Sequence, residues 1–280
     1  MQTVAVIGAA GVQGAQVSGR LIAAGTYEVL CVEAGAGVER LQERGLTATP
    51  LHEAAQRADA AIIAVPDELI ATVAAEVVPV LAPGSLALVL DAAAPFVTEL
   101  VPRDDVSLMI THPCHPSVFT TQLTADGHRD FAGGVTGQDI MCCLVRGAED
   151  HYATGVELAR AMFAPVDTVH RITLEQFILL EPTMSETTAA MLLTVIREAM
   201  DEAIARGVPE PAARAFMYGH VGIELAIIFG ELDAAFSTSA YLAIDRGRDL
   251  ILAPNWKQVF ESGNVEAVAR EIAAPEATGA

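Results

Sequence analysis

The stretch THPCHPSVF, residues 111–119, places two histidines on a proline-stiffened turn directly after an apolar segment. The pKa of an imidazole lies near neutral pH, so a histidine can accept a hydroxyl proton while an alcohol is oxidised. We predict His112 as the general base, with His115 as a second catalytic group and Thr111 and Ser117 as substrate-binding residues. The alternative is a pair of surface or helix-capping histidines.

A second candidate site is the glycine-rich stretch GAAGVQG, residues 8–14, which follows an apolar strand and opens a helix. This context favours a dinucleotide-binding loop over a merely tight turn, although the first glycine lies one residue earlier than in G-x-G-x-x-G. The helix N-terminus offers N–H groups and a positive dipole to phosphates. The predicted cofactor-binding residues of this loop are Gly8, Ala10, Gly11, Val12, Gln13 and Gly14.

Glu33 ends the second predicted strand, about 20 residues beyond the last glycine of the loop. A carboxylate at this point accepts hydrogen bonds from a ribose 2′-OH and repels a 2′-phosphate. We therefore predict NAD as the cofactor in preference to NADP; the alternative is a solvent-facing acid at a strand end. Val65 and Pro66 end another strand and are predicted to lie against the cofactor.

Two pairs of residues in the C-terminal half could hold a divalent metal. Glu181 and Glu186 are five residues apart and need not share one face of a regular α-helix, whereas His220 and Glu224 are four apart and do share a face. We predict that the two glutamates take part in catalysis, and that all four residues are the ligands if a metal is used. Without a metal, Glu181 would act as a base or accept a substrate hydroxyl.

Arg246 and Lys257 are the candidates for binding a substrate carboxylate, a group that arginine can hold through two parallel hydrogen bonds. In a dimer these residues could come from the partner subunit. A solvated surface position is an equally good interpretation for each of them.

The elements that position these residues change character along the chain. Short apolar runs alternate with helical stretches up to about residue 172, which predicts a doubly wound, mostly parallel sheet, and helical periodicity follows. We predict an α/β Rossmann domain over 1–170 and an all-α substrate and dimerisation domain over 171–280, with a helix break or first-turn proline at Pro182 and a helix end at Gly207. The predicted strands are 3–8, 27–33, 60–65, 85–90, 106–111, 139–147 and 166–172. The stretches predicted as helices or short crossovers are 12–24, 37–45, 67–81 and 95–100, and a further helix is predicted over 149–163.

Composition narrows the class of partner. The 280 residues carry a net charge of −20, which repels nucleic acid and anionic lipid, and no apolar run is long enough for a membrane span. The four cysteines form neither a disulfide framework nor a zinc motif, and no secretory signal is evident, so we expect a cytoplasmic protein that acts on a small molecule.

The strand running into VPDELI, followed by a helical half, resembles the 6-phosphogluconate dehydrogenase-like superfamily. The stretches THPCHPSVF, LLEPTMSETTAAML and PNWKQVF more closely resemble the D-apionate oxidoisomerase family, over nearly the whole chain. This resemblance implies NAD-dependent oxidation of a branched sugar acid, coupled to isomerisation to a 3-oxo acid, in a protein that dimerises through its helical domain. Many members of the wider superfamily carry a catalytic lysine in this region, and LEQFILLEPTMSETT has none.

Two other functions remain open at this point. One is a prephenate-dehydrogenase-like or simple hydroxyacid dehydrogenase, which would oxidise without isomerising. The other is an NAD-binding regulator, which would bind the cofactor and reduce none of it.

Overall fold

The computed structural model describes residues 2–120 and 124–274. Within these residues, seven strands form one sheet: β1 (Gln2–Ile7), β2 (Tyr27–Val32), β3 (Ala60–Ile63), β4 (Leu86–Val89), β5 (Ser107–Pro113), β6 (Gln138–Arg146) and β7 (Val166–Arg171). The helices of the first two thirds are α1 (Val12–Ala24), α2 (Ala36–Glu43), α3 (Leu51–Arg57), α4 (Asp67–Val77), α5 (Ala93–Val97), α6 (Ala125–His128), α7 (Glu149–Met162) and α8 (Leu174–Ile178). A π-helical segment (Leu179–Ala190) leads into α9 (Met191–Ala205), α10 (Glu210–Ile228), α11 (Thr238–Ile251) and α12 (Ser262–Ala273). Short 3-10 turns lie at Val78–Val80 and Trp256–Phe260.

The sheet has the strand order β2-β1-β3-β4-β5-β6-β7. Neighbouring strands are parallel from β2 to β5, β6 is antiparallel to β5, and β7 is parallel to β6. The mostly parallel sheet is therefore confirmed. Every residue of β3 and β4 is buried, which explains why these strands are apolar throughout instead of alternating.

The main core lies between the sheet and the helices α1 and α7. Branched and sulfur-containing side chains fill it, because helix and sheet layers must bury their apolar faces against each other. Its members include Leu21, Ile62, Leu88, Met109, Ile140, Leu158, Met162 and Phe163. Because β1, β3, β4 and β5 are parallel neighbours, their carboxyl ends all lie at one edge of the sheet.

Some elements differ from the prediction. α1 does have the predicted bounds, and its C-cap residue Gly25 has a left-handed φ of 68°. In place of the stretch predicted over 95–100, α5 runs from Ala93 to Val97, and the Asp91 carboxylate accepts the Ala93 N–H at its start, at 2.7 Å. α3 was not predicted, although its Ala54 and Ala55 are buried.

The chain divides into two compact units: residues up to Leu180 together with those from Glu266 onward, and Glu181–Val265. The predicted domain boundary at 170 stays a prediction; β7 continues across it to Arg171. Across the described residues, no helix is long and apolar enough to cross a membrane.

Of the two alternatives predicted at Pro182, the helix break is wrong, and the proline is the fourth residue of a π-helical segment. The helical path continues through Leu179–Ala190 as a π-helix, with Pro182 inside it. In an α-helix, a proline has no N–H to donate and its ring clashes with the carbonyl four residues earlier. In a π-helix the hydrogen bonds span five residues, so the proline ring faces a different carbonyl. After α9, Gly207 has a φ of 100° and donates its N–H to Ile204 O, as expected for a helix end.

Candidate functional site

The glycine loop connects β1 to α1 and requires glycine at two positions for different reasons. Gly8 has a φ of 84°, and a Cβ there would lie 2.4 Å from Ala64 O. A Cβ at Gly14 would lie 2.0 Å from Gly8 O, so only glycine lets the first turn of α1 approach the end of β1. The Gly11 N–H closes the turn by donating to Gly8 O at 3.0 Å. This arrangement provides the close backbone approach that a pyrophosphate needs.

The other predicted cofactor residues surround this loop. Val12 is 86% exposed at the first turn of α1, and Gln13 is also exposed. The Ala10 N–H donates to Glu33 Oε1 at 2.5 Å, which brings the carboxylate at the end of β2 beside the loop. Val65 is half-buried against Gly8, and Pro66 is exposed before α4.

Two arginines that the sequence analysis did not select also contact the loop. Arg44 donates to Ala9 O and Ala15 O, each at 3.0 Å, and Arg40 donates to Ala10 O at 3.4 Å. They are four residues apart at the end of α2, so they lie on one side of the helix. That spacing, just after the strand that ends in Glu33, is the signal that could have identified them.

His112 lies at the carboxyl edge of the sheet, where β5 ends beside β4. Its Nδ1 lies 2.8 Å from Leu90 O. Since a carbonyl oxygen can only accept, the hydrogen bond assigns the proton of the neutral ring to Nδ1, and Nε2 is then the basic nitrogen. The next residue, Asp91, is a buried carboxylate at the same edge that was not predicted.

His115 lies three residues further along the same stretch. Its φ is 61°, the left-handed region that is uncommon for residues other than glycine and often occurs at functional sites. The two imidazole centroids are 6.2 Å apart, with the rings nearly perpendicular. Cys114 lies between the two histidines and is exposed. Partial desolvation of its thiol, together with the nearby Asp139 carboxylate, raises the pKa of the thiol to about 11. The thiol is therefore protonated near neutral pH, which argues against Cys114 as a nucleophile.

The substrate contact predicted for Thr111 is corrected by the structure. The residue has no exposed surface, and its hydroxyl donates to Met141 O at 3.0 Å inside the sheet. A substrate could not reach this hydroxyl. Ser117 is exposed and its Oγ accepts the Phe119 N–H, so its predicted role stays a prediction.

The π-helix changes the relation between Glu181 and Glu186 in the second compact unit. In a helix with i→i+5 hydrogen bonds, residues five apart lie one turn apart, as residues four apart do in an α-helix. The Thr187 hydroxyl reaches Pro182 O at 2.7 Å and that of Thr188 reaches Thr183 O at 2.9 Å, both five residues back. The two glutamates therefore share a face, which an α-helix would not allow.

His220 and Glu224 line one cavity of about 260 Å³ between α9 and α10. The His220 ring stacks on Phe216, with centroids 3.8 Å apart, and its Nδ1 bonds to Phe216 O at 2.9 Å. Within residues 2–120 and 124–274, no group of three or more His, Cys, Asp or Glu side chains is placed to hold a metal ion. The four predicted ligands thus do not form a complete site in these parts of the chain.

Arg246 and Lys257 also belong to the second unit, and both are exposed. Arg246 lies on α11. The Lys257 ammonium lies 5.9 Å from the centroid of the Trp256 ring. Their predicted contact with a substrate carboxylate stays a prediction.

Two family models match the chain. Residues 1–129 match acetohydroxy acid isomeroreductase, NADPH-binding domain, and residues 120–273 match phosphogluconate dehydrogenase (decarboxylating) C-term. Both agree with a nicotinamide-cofactor fold followed by a helical part. The overlap of the matches falls on the stretch after His115.

Curated relatives align over nearly the whole chain. A D-apionate oxidoisomerase of Rhizobium rhizogenes is 42% identical over 97% of this chain and 100% of its own length. Another, of Cupriavidus necator, is 39% identical over 97% of this chain and 99% of its own. A crystal structure described as a semialdehyde dehydrogenase NAD-binding protein from Cupriavidus necator in complex with calcium and NAD has a TM-score of 0.93 and 38% identity, covering 97% and 99% of the two chains. The chain is therefore a member of the D-apionate oxidoisomerase family.

Proposed function

We propose that this enzyme oxidises the CH–OH group of D-apionate with NAD and couples the oxidation to isomerisation, giving 3-oxo-isoapionate. The observation that carries the proposal is the shared name of four relatives, 34–42% identical over 92–97% of this chain. The substrate of this chain is thus inferred from its relatives.

The residues around the loop fit a dinucleotide. The tight β1–α1 turn that Gly8 and Gly14 permit, the exposed first turn of α1 and the adjacent Glu33 carboxylate are the features such a ligand requires. Bound NAD supplies the acceptor for the hydride. We propose NAD over NADP because Glu33 would repel a 2′-phosphate and because the similar solved structure is described with NAD.

His112 is our proposed general base. The Leu90 carbonyl accepts the Nδ1–H of His112 and so holds the ring in place. Nε2 then takes the proton of the substrate hydroxyl while the hydride leaves the carbon that bears this hydroxyl, and the C–OH group becomes a C=O group. This supports an imidazole base in a chain without a lysine in LEQFILLEPTMSETT. His115 and Ser117 remain proposed helpers on the same stretch.

The acidic pairs and the cations remain proposals. A divalent metal is supported by the calcium named in the similar solved structure and by the shared face of Glu181 and Glu186. The described residues do not by themselves complete a metal site. If no metal is used, Glu181 would act as a base or accept a substrate hydroxyl, and Arg246 and Lys257 would bind the carboxylate.

We also propose a homodimer formed through the helical unit. α11 has no buried residue and α10 has one, Ala213. Exposed apolar side chains on these two helices include Phe216, Tyr218, Ile223, Ile228, Tyr241, Leu242, Ile244, Leu250 and Ile251. So much exposed apolar surface is typical of an interface, and a second copy is the proposed occupant. The free cysteines support a location in the cytoplasm.

The deciding experiment measures NADH formation with D-apionate and a panel of related hydroxy acids, with and without EDTA, and identifies the product by NMR. We expect NADH only with D-apionate and 3-oxo-isoapionate as the product. Equal rates with simple hydroxy acids would favour a dehydrogenase without isomerisation. NAD binding without NADH from any substrate would favour a regulator. Loss of activity with EDTA would support the metal.

A further inference from the structure

The Glu33 carboxylate is held between the glycine loop and the first turn of α2. Its Oε1 accepts the Ala10 N–H at 2.5 Å, and its Oε2 lies 3.3 Å from the Ala34 N. The carboxylate thus has a defined position, set by backbone groups on both sides. A ribose hydroxyl that bonds to it depends on that position.

Gly37 makes this position available. It is buried in the first turn of α2, and a Cβ there would lie 2.1 Å from Glu33 Oε2 and 2.6 Å from Glu33 Cδ. The backbone of Gly37 is not left-handed, so it does not need glycine for its conformation. The space occupied by the carboxylate is the reason for glycine here.

An added methyl group at Gly37 would move the carboxylate and not the fold. The atoms it meets are the far end of a flexible side chain, which can rotate away, and alanine is a better helix former than glycine. The rotation would take Oε1 away from the Ala10 N–H. Cofactor binding and fold stability should therefore respond in opposite directions.

We propose that Gly37 is a positioning residue that sets the preference for NAD over NADP, by leaving room for the Glu33 carboxylate beside the loop. This inference rests on the cofactor role of Glu33 in the proposed function. Under this proposal, a glycine, which has no side chain, is one of the residues that determine the choice of cofactor.

The test measures dissociation constants of NADH and NADPH by fluorescence titration, together with Tm, so it needs no substrate. We expect Gly37→Ala to weaken NADH binding about tenfold, as the loss of a hydrogen bond to a charged group predicts, and to lower the preference over NADPH. Glu33→Ala should shift the preference in the same direction. The Tm of Gly37→Ala should not fall.

The matched control is Gly263→Ala. Gly263 is also the second residue of a helix, but a Cβ there meets nothing within 4 Å. It should bind both cofactors as the wild type does. In the double variant Glu33→Ala/Gly37→Ala, the second substitution should add no effect, because the carboxylate it displaces is gone.

The outcomes separate this inference from the proposed function. If Glu33→Ala lowers the preference and Gly37→Ala does not, the role of Gly37 is overturned and that of Glu33 stands. If Glu33→Ala leaves the preference unchanged, the cofactor role of Glu33 is overturned, and the inference with it. Additive effects in the double variant would show that Gly37 does not act through Glu33. A fall in Tm with an unchanged preference would show a purely structural glycine.

Discussion

His112 is the residue on which the proposed chemistry depends most. We expect His112→Gln to lower kcat by roughly 10²–10⁴-fold, the usual contribution of a general base, with little change in NADH binding. Steady-state rates and fluorescence titration measure the two effects. His52→Gln, on the exposed surface of α3, is the control and should behave as wild type. A His112→Gln enzyme with a normal kcat would assign the base elsewhere.

His115 should show a conflict between stability and activity. A left-handed residue with a Cβ costs about 1–2 kcal/mol, a cost that glycine avoids. We therefore expect His115→Gly to be more stable than His115→Ala by about 1 kcal/mol in chemical denaturation. Both variants lack the imidazole, so both should lose activity equally. Equal stability of the two would show that the φ of 61° does not strain this position.

Thr111 should affect stability alone. Thr111→Val keeps the shape and leaves Met141 O without its hydroxyl donor, so we expect a loss of about 1–3 kcal/mol in the free energy of unfolding. The KM for substrate should not change. A raised KM with unchanged stability would restore the substrate contact that the buried position argues against.

At the scale of elements, the hydroxyls of the π-helix can be tested one at a time. Thr187→Val removes the bond to Pro182 O, five residues back, and should cost about 1 kcal/mol and lower kcat, because the spacing of Glu181 and Glu186 depends on this segment. Thr194→Val, in α9, is the control: it removes a bond to Ala190 O that reaches four residues back, as in an α-helix, to the last residue of the π-helical segment. Equal effects on kcat would separate the π-helix from catalysis.

The elements also show which structural features a single sequence predicts. Short apolar runs predicted the strands, and their alternation with helical stretches predicted α1 with its observed bounds. The direction of β6 was not predictable, since a buried strand has the same apolar pattern in either direction. The π-helix was equally hidden, because its wider turn leaves no distinct mark in composition.

Part of the candidate site was likewise predictable from the sequence, and part was not. Local spacing predicted the glycine loop, Glu33 and the histidine stretch as site residues, and Glu33 does contact the loop; their roles stay predictions. Thr111 was misassigned because the sequence does not show that β5 continues to Pro113 with a buried partner strand beside Thr111. Gly37 was missed because its role is the absence of a side chain next to a residue four positions earlier.

For the whole molecule, association must overcome charge. Each chain carries −20, so two copies repel each other and apolar contact has to supply the attraction. Salt screens the repulsion and leaves the apolar contact in place. We expect the dissociation constant of the dimer to fall as ionic strength rises, measured by analytical ultracentrifugation. A dimer that salt dissociates would instead be held by ion pairs.

Leu250 on α11 offers the direct test of that interface. Its side chain is 73% exposed in the single chain, so Leu250→Asp should leave the folded unit intact, and a carboxylate buried between two copies is strongly unfavourable. We expect a monomer by light scattering, with an unchanged Tm at low concentration. Val135→Asp, at an apolar position 61% exposed in the first unit, is the matched control and should remain dimeric. If Leu250→Asp stays dimeric and Val135→Asp does not, the copies associate through the first unit, and the exposed faces of α10 and α11 need another partner.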